Sequence, residues 1–486
     1  MGRLFTYKFK RDAPISLLIL IFGIIYCLIA LLNHHNFSFN TIELGEYNQA
    51  LWDYSHFRWH YGPFFSPDPQ NILSQDFDFY LMIFSPLVWI SGSYTLIIIQ
   101  IIAILMGGLG IYKYLRVLEA SNKVAFFAAL HFFLFFGVYS ALLLQYQSFA
   151  VAAMLLPWLL YFFHQEKYRT AAFFYILMII ANENISLWLV LVFGGFIFNY
   201  YKDRRATIIL IELLLISFAY YLVVTEIAMP WFSDSNKQQQ FEYSGVGESF
   251  LKSIGWIIGH PRLTMEMMVL NHLDIPGANY VKIELITLVL VSGAFMFIIR
   301  PQYLLMLIPL FFNKLLSDNN ELWGASGLYT IAFGPIISIG LFKYIGELWT
   351  PRQKFNWSLS FVILAAAATL FFVFNPSDQN KALQIYRPDR YHDINEAAMV
   401  QKMLDKLPDT ASLSVPPGMF ANASVRENVY IFPNFKKADF VFFSEKKMPG
   451  WAPESYDTIG QQLVNSNKWE IVDYYDGHYM LKRNKP

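Results

Sequence analysis

Apolar runs of about 15 to 22 residues recur along this chain, and that is about the length that crosses the hydrocarbon core of a bilayer. A main chain in hydrocarbon must satisfy its own hydrogen bonds, so runs of this kind are confined to helices. The expected fold is therefore mainly α, a polytopic membrane bundle. We read eleven spans, near 14–32, 94–115, 124–144, 149–163, 170–184, 185–201, 206–226, 283–299, 303–316, 327–346 and 357–375. The stretches 149–163, 170–184 and 303–316 are short, which points to a thinned bilayer or a broken helix. Composition agrees: 56% hydrophobic and 15% charged residues make a soluble chain of 486 residues untenable. The first run, "PISLLILIFGIIYCLIALL", has no small-residue cleavage site and reads as a retained signal anchor. Cys27 is the single cysteine, which rules out an intramolecular disulfide. A net charge of zero argues against nucleic acid as a partner.

Loop charge sets the orientation. With the N-terminus inside, sixteen Lys and Arg fall on the inner side, in Arg3, "KFKR", "KYLRVLEASNK", "HQEKYR", "KDRR", Arg300 and "KYIGELWTPRQK". The outer loops hold five: Arg58, Lys237, Lys252, Arg262 and Lys282. This is the asymmetry of the positive-inside rule. The stretch 79–92 is too short to span and contains a proline, so it reads as a re-entrant or interfacial helix within the external loop 33–93. The loop 227–282, the polar turn 317–326 and residues 376–486 fall on the same external side. In the membrane domain 1–375, everything chemically active then gathers at one face. The tail 376–486 alternates helical and strand patterns and ends in "WEIVDYYDGHYMLKR", a hairpin with Asp-Gly at its turn, so a small external α/β domain is expected.

The first external loop carries Glu43, Glu46, Asp53, Asp68, Asp76 and Asp78 among Trp52, Tyr54, Phe57, Trp59, Tyr61, Phe64 and Phe65. A solvated acidic face is one reading. The other is a carboxylate held at headgroup depth, with its pKa raised by burial so that it can serve as a general base. Glu183 in "MIIANENISLWLV" lies between apolar runs, where an ionisable group faces either a cavity or an external turn. Tyr243 in "QQQFEYSGVGESF", and Asp318 with Asn319 in the polar turn, are further candidates for substrate contact. Lys282 begins a span, where it meets a phosphate or simply anchors the helix. His34 and His35 suit metal or the interface. No Gly-x-x-x-x-Gly-Lys, His-Glu-x-x-His or Gly-x-Ser-x-Gly motif is present.

The stretch "IELGEYNQALW" resembles the acidic-Leu-Gly-x-x-x-Gln-x-x-Trp signature of a bacterial polytopic membrane family of unknown function, related to the GT-C class of glycosyltransferases. The resemblance continues through "QDFDFYLMIFSPL", the Glu of "ANENISLWL", "RPQYLLMLIPLFFNKLLSDN", "LYTIAFGP" and "KLPDTASLSVPP", and so covers nearly the whole chain. Two positions depart from the pattern. Glu43 stands where the family usually has Asp, and Phe77 stands where it has His, so Asp76 and Asp78 compete for the second acidic position.

The resemblance implies a GT-C-like enzyme of the bacterial inner membrane and cell envelope, with its N-terminus cytoplasmic and its C-terminal domain periplasmic. Such an enzyme takes a sugar from a polyprenyl-phosphate donor and passes it to a glycan, lipid or protein acceptor. Glu43 is implied as the base, Asp76 and Asp78 as catalytic groups or ligands of a divalent metal such as Mg or Mn, and Gln49 and Trp52 as substrate contacts. A transporter or flippase of lipid-linked sugars, or a non-catalytic lipid-binding envelope protein, are the alternatives. A transporter usually shows internal repeats and charges near the bilayer midplane. Orientation is directly testable by cysteine labelling in a background without Cys27. Positions 243 and 430 are expected to label from outside and position 203 from inside; labelling of 203 and 243 from one side would overturn the scheme.

Overall fold

The computed structural model describes residues 2–37, 42–62, 70–233, 242–348, 350–374, 394–408, 410–446 and 455–484. Phe64, Phe65, Asp68 and Lys237, and the expected domain boundary near 375, lie outside them.

The chain is mostly helical. Among the described residues, six helical stretches are long and apolar enough to cross a membrane: Ala13–His35, Tyr80–Val117, Asn122–Leu144, Glu183–Tyr200, Arg204–Phe232 and Pro351–Phe374. The other five stretches read as spans also form helices, but shorter ones. Two lie at Ser148–Ala153 and Leu156–His164, interrupted ahead of Pro157, and another at Tyr168–Ile179. Val281–Val291 stops before Gly293, whose φ of 114° no side-chain-bearing residue adopts easily. Pro301–Leu315 starts on a proline, which suits the first helical turn, and Phe333–Leu348 follows a short 3-10 turn. Six crossings are thus supported by helix length, where the apolar pattern gave eleven stretches.

The stretch after Asp78 is broken. A helix Tyr80–Phe84 passes into a 3-10 turn over Ser85–Leu87, then a short helix Val88–Ser91, and Gly92 at φ 53° ends it. Pro86 removes a backbone donor in the middle, which accounts for the break. Beyond it the long helix Thr95–Val117 packs on Asn122–Phe133, where a Cβ on Gly108 would collide with the Phe133 ring. The first helix joins the same contact: Tyr26 donates its hydroxyl to the Phe133 carbonyl at 2.7 Å and Phe22 stacks on the Phe133 ring.

Two short strands, β1 (Tyr61–Gly62) and β2 (Gln70–Asn71), pair antiparallel near the first loop. The C-terminal segment builds a five-stranded sheet from β3 (Leu413–Val415), β4 (Val429–Ile431), β5 (Phe440–Ser444), β6 (Trp469–Tyr475) and β7 (His478–Arg483), in the order β4-β3-β5-β7-β6. The strand β3 runs parallel to both neighbours, while β5, β7 and β6 run antiparallel. The expected hairpin is present, with Asp476 and Gly477 both at positive φ, as a two-residue turn between twisted strands requires. Alternation puts Phe442 and Met480 on one face, against the helix Ile394–Asp405, and Val441, Phe443 and Leu481 on the other, against Tyr456–Val464.

The short helix Pro417–Ala423 docks this sheet on the first loop, beside an Arg58–Glu427 ion pair at 2.7 Å. Phe420 from that helix packs on Gly45, where any Cβ would strike its ring. Beside it, Asn48 Nδ2 donates to the Ala421 carbonyl at 2.9 Å, and Asn422 Nδ2 donates to the His34 carbonyl at 2.9 Å. Gly45→Leu is expected to undock the C-terminal segment, at an overpacking cost of about 1–3 kcal/mol. Limited proteolysis should then release a C-terminal fragment and the thermal midpoint should fall; an unchanged digestion pattern and midpoint would refute the contact.

Candidate functional site

The helix Glu43–Ser55 follows the first span closely. Its i, i+3, i+4 spacing places Glu43, Glu46 and Tyr47 on one face. The opposite face carries Trp52, whose ring meets His56 and Trp89 at centroid distances of 4.1 and 5.4 Å. Glu43 is half-buried, Glu46 is only 3% exposed, and Gln49 is buried. Two carboxylates in the first turn are favoured there by the helix dipole when ionised.

The second acidic segment is held against that face. Tyr47 donates its hydroxyl to Asp76 Oδ2 at 2.8 Å. Phe77 N–H donates to Glu183 Oε2 at 3.2 Å, and Phe79 N–H donates to the Ile180 carbonyl at 3.1 Å. Asp78 is fully enclosed and accepts the Tyr80 N–H at 2.7 Å, with the Ser148 hydroxyl as a second donor. Asp78 therefore opens the Tyr80–Phe84 helix, as an Asp near a helix start commonly does, whereas Asp76 remains half-exposed.

A third wall comes from the bundle. Gln145, just past the helix Phe136–Leu144, donates Nε2 to Glu43 Oε2. The turn behind it is fixed by Gln100, which donates to the Ala141 carbonyl at 2.8 Å and accepts the Gln147 N–H at 2.8 Å. Asn182 caps the helix Glu183–Tyr200 by accepting the Asn184 N–H, and Asn184 Nδ2 donates to Glu183 Oε1 at 2.7 Å. The same amide reaches the Tyr329 hydroxyl at 3.4 Å.

Glu43, Asp76, Asp78 and Glu183 are thus brought together from residues up to 140 apart in sequence. Tyr243, Asp318 and Asn319 form the adjoining rim. Tyr243 donates its hydroxyl to Asn313 Oδ1 at 2.6 Å, Ser244 N–H donates to Asp318 Oδ2 at 2.7 Å, and Asp318 N–H donates to the Glu242 carbonyl at 2.7 Å. Asn319 accepts the Glu321 N–H and so opens the turn that carries Glu321, whose charge reaches Glu43. Lys282 is used inside the protein: its ammonium donates to the Met267 and Leu315 carbonyls at 2.6 Å, meets His272 Nδ1 and sits 4.0 Å over the Trp323 ring.

Glu46 stands among the loop carboxylates and Tyr329 within the family-like segment "LYTIAFGP", but neither has a role assigned by sequence; Tyr47, Gln145 and Glu321 are added by the structure. For Tyr47 a signal is available, in its i+4 spacing from Glu43. For Gln145 and Glu321 there is none, because their contacts are long-range.

Burial dominates the electrostatics. It pushes Glu43 up to about 7, with Asp76 and Glu321 adding like charge, and Glu46 up to about 9, with Glu43 and Asp76 adding theirs. Burial also raises Asp76, against the Tyr47 hydrogen bond that favours its ionised form, and raises Asp78 well above the usual carboxylate range. Near neutral pH Glu46 then carries its proton while Glu43 exchanges one readily. Asp76 and Asp78 each direct an oxygen at a protein donor, and among the described residues no group of three or more His, Cys, Asp or Glu is arranged to hold a metal ion.

The raised values carry a sign for stability. The folded state holds protons that the unfolded chain releases near 4.5, so this stability is complete below that pH and is lost as pH rises through about 7 for Glu43 and about 9 for Glu46. The thermal midpoint should fall between pH 5 and 9, and Glu46→Gln should flatten the slope; an equal slope in the variant would contradict the burial of a protonated Glu46.

Comparison with curated proteins gives no match. The family described as "Predicted membrane protein (DUF2079)" matches across residues 33–479, a stretch that takes in the helix of Glu43, the 76–78 segment, Glu183 and the C-terminal sheet. An integral membrane protein whose acidic cluster lies wholly within that match, this chain belongs to the DUF2079 family of membrane proteins.

Proposed function

We propose that the protein is a GT-C-like glycosyltransferase of the bacterial inner membrane, with eleven spans, working at the periplasmic face on a polyprenyl-phosphate-linked sugar. The observation that carries this reading is Glu43. It is half-buried, held by the Gln145 amide, and pushed up to about 7, with Glu46, Asp76 and Glu321 close enough to interact with its charge. A base is most effective when its pKa lies near the working pH.

In this reading an acceptor hydroxyl attacks the anomeric carbon of the donor sugar. Its proton passes to Glu43, the new glycosidic C–O bond forms, and the bond to the carrier phosphate breaks, with its electron pair leaving on the phosphate oxygen. Attack opposite the leaving group inverts the anomeric centre. Protonated Glu46 limits the repulsion that an anionic leaving group meets in an acidic site. Asp76, oriented by the Tyr47 hydroxyl, holds the acceptor, and Asp78 fixes the backbone on which Asp76 stands. The acidic groups lie at helix ends and in loops at one end of the bundle, which favours a surface reaction over a transport path through the midplane.

The test uses the full chain in liposomes with a panel of polyprenyl-phosphate hexoses and pentoses, following release of free polyprenyl phosphate by mass spectrometry. Glu43→Gln should lower turnover by about 10²- to 10⁴-fold while carrier binding persists. Asp76→Asn should impair turnover more than Asp78→Asn. Turnover should rise with pH through about 7, as Glu43 loses its proton, and this limb should vanish in Glu43→Gln. Full turnover in Glu43→Gln would remove the base assignment.

A further inference from the structure

The loop between the Arg204–Phe232 stretch and Val281–Val291 contains two helices built inside out. Phe250–Gly259 and Pro261–Val269 form a hairpin, and the one buried residue of each is polar, Ser253 in the first and Thr264 in the second. Most of the exposed side chains along one stripe are apolar and point away from the protein. Leu251, Ile254 and Ile258 repeat at i, i+3 and i+7, a single stripe along the first helix, and are 66%, 37% and 74% exposed. Met265 at 65% and Leu270 at 57% continue it on the second arm. In water this arrangement would be reversed.

Its position names the covering phase. The Phe250 ring packs on Tyr221 of the helix Arg204–Val223 with centroids 4.8 Å apart, so the hairpin starts from the wall of a membrane-crossing element. That element is itself exposed and apolar where the hairpin meets it, with Val223 at 52% and Ile227 at 64%. The hairpin surface is therefore continuous with surface that faces lipid. A 10-residue helix is about 15 Å long, half the hydrocarbon thickness, and so is too short to cross it. The charged groups are neutralised in place: Lys252 bonds Glu248 at 2.6 Å and Arg262 bonds Glu266 at 3.0 Å. Trp256 stacked on His260 at the corner is of the type that settles at headgroup level.

Both ends of the loop are tied to the rim of the acidic cluster. Ser244 N–H bonds Asp318, and Lys282 binds the Met267 carbonyl at the far arm. We propose that the hairpin 250–269 is a membrane-surface element whose apolar stripe is embedded in the acyl chains of the leaflet beside the acidic cluster. Lipid, not water or a second copy of the chain, is its partner. This assignment does not depend on the glycosyltransferase reading.

Single cysteines at positions 258 and 265, in a Cys27→Ser background, are labelled with a bimane fluorophore in phosphatidylcholine–phosphatidylglycerol nanodiscs, with Lys468→Cys in the turn ahead of β6 as the aqueous control. Lipids carrying a nitroxide high on the acyl chain should quench 258 and 265 by about twofold or more and leave 468 unchanged, as expected for an interfacial helix. Iodide in the buffer should quench 468 alone. Quenching of 258 and 265 by iodide, as at 468, would overturn the proposal. So would protection from both quenchers together with a short spin–spin distance between two labelled chains, which would make the partner a second copy. The labelled variants are checked for monodispersity and helix content, and the two quenchers read out the same folded sample.

Discussion

Glu183 accepts the Phe77 N–H, and the rest of the acidic cluster depends on that bond. The 76–79 segment is irregular backbone: the Asp76 and Asp78 amides find local carbonyls, while those of Phe77 and Phe79 borrow two acceptors from the turn at 180–183. With Phe77 and Phe79 pinned there, Asp76 is delivered to Tyr47 and Asp78 is left to open the next helix. A buried carboxylate that accepts main-chain donors is tolerable, whereas the same group without donors is expelled or protonated. The cluster thus divides its labour by solvation. Asp78 and Glu183 are enclosed and hold the frame, and Glu43 and Asp76 stay half-open.

Support also comes from the C-terminal side. Gly45 sits between Glu43 and Glu46, and its missing side chain is what lets Phe420 seat on the helix. Asn48, one turn on, is shared between the Ala421 carbonyl and the Ser93 carbonyl at 3.2 Å, so the C-terminal segment and the turn ahead of the long helix Thr95–Val117 grip the same side chain. Any rotation of the Glu43 helix would have to break both contacts. The Phe420 seat is thus part of what positions the acidic face.

Strain gathers on the opposite wall. Tyr329 holds φ at 69°, a conformation that costs a bulky residue about 1–3 kcal/mol and persists only where its surroundings enforce it. Its ring lies edge-on to Phe149 at 4.6 Å, and its N–H reaches Gln147 Oε1 at 3.4 Å. Lys314, with no exposed surface, donates to the neighbouring Leu328 carbonyl at 2.7 Å and ties this turn to the end of Pro301–Leu315. The strained residue stands beside the groups that the proposed reaction uses, where such backbone is commonly found.

The apolar runs settle on their own that this chain lives in a membrane and is mostly helical, since length and hydrophobicity are local properties that hydrocarbon reads directly. The C-terminal hairpin is local too: Asp476-Gly477 between alternating strands dictates a two-residue turn whatever surrounds it. Helix length was less legible, because breaks at Gly293 and ahead of Pro157 divide runs that hydropathy alone treats as whole. Only the tertiary structure decided which carboxylates meet. Asp76 and Asp78 are neighbours in one acidic segment, and it is the Tyr80 amide and the Ser148 hydroxyl that enclose Asp78 while Asp76 stays half-open. Lys282 shows the same limit, for nothing local announces that its ammonium bonds two carbonyls, from 15 residues before it and 33 after it. Solvation and hydrogen-bond partners are set by residues distant in sequence, and a carboxylate's chemistry follows from them.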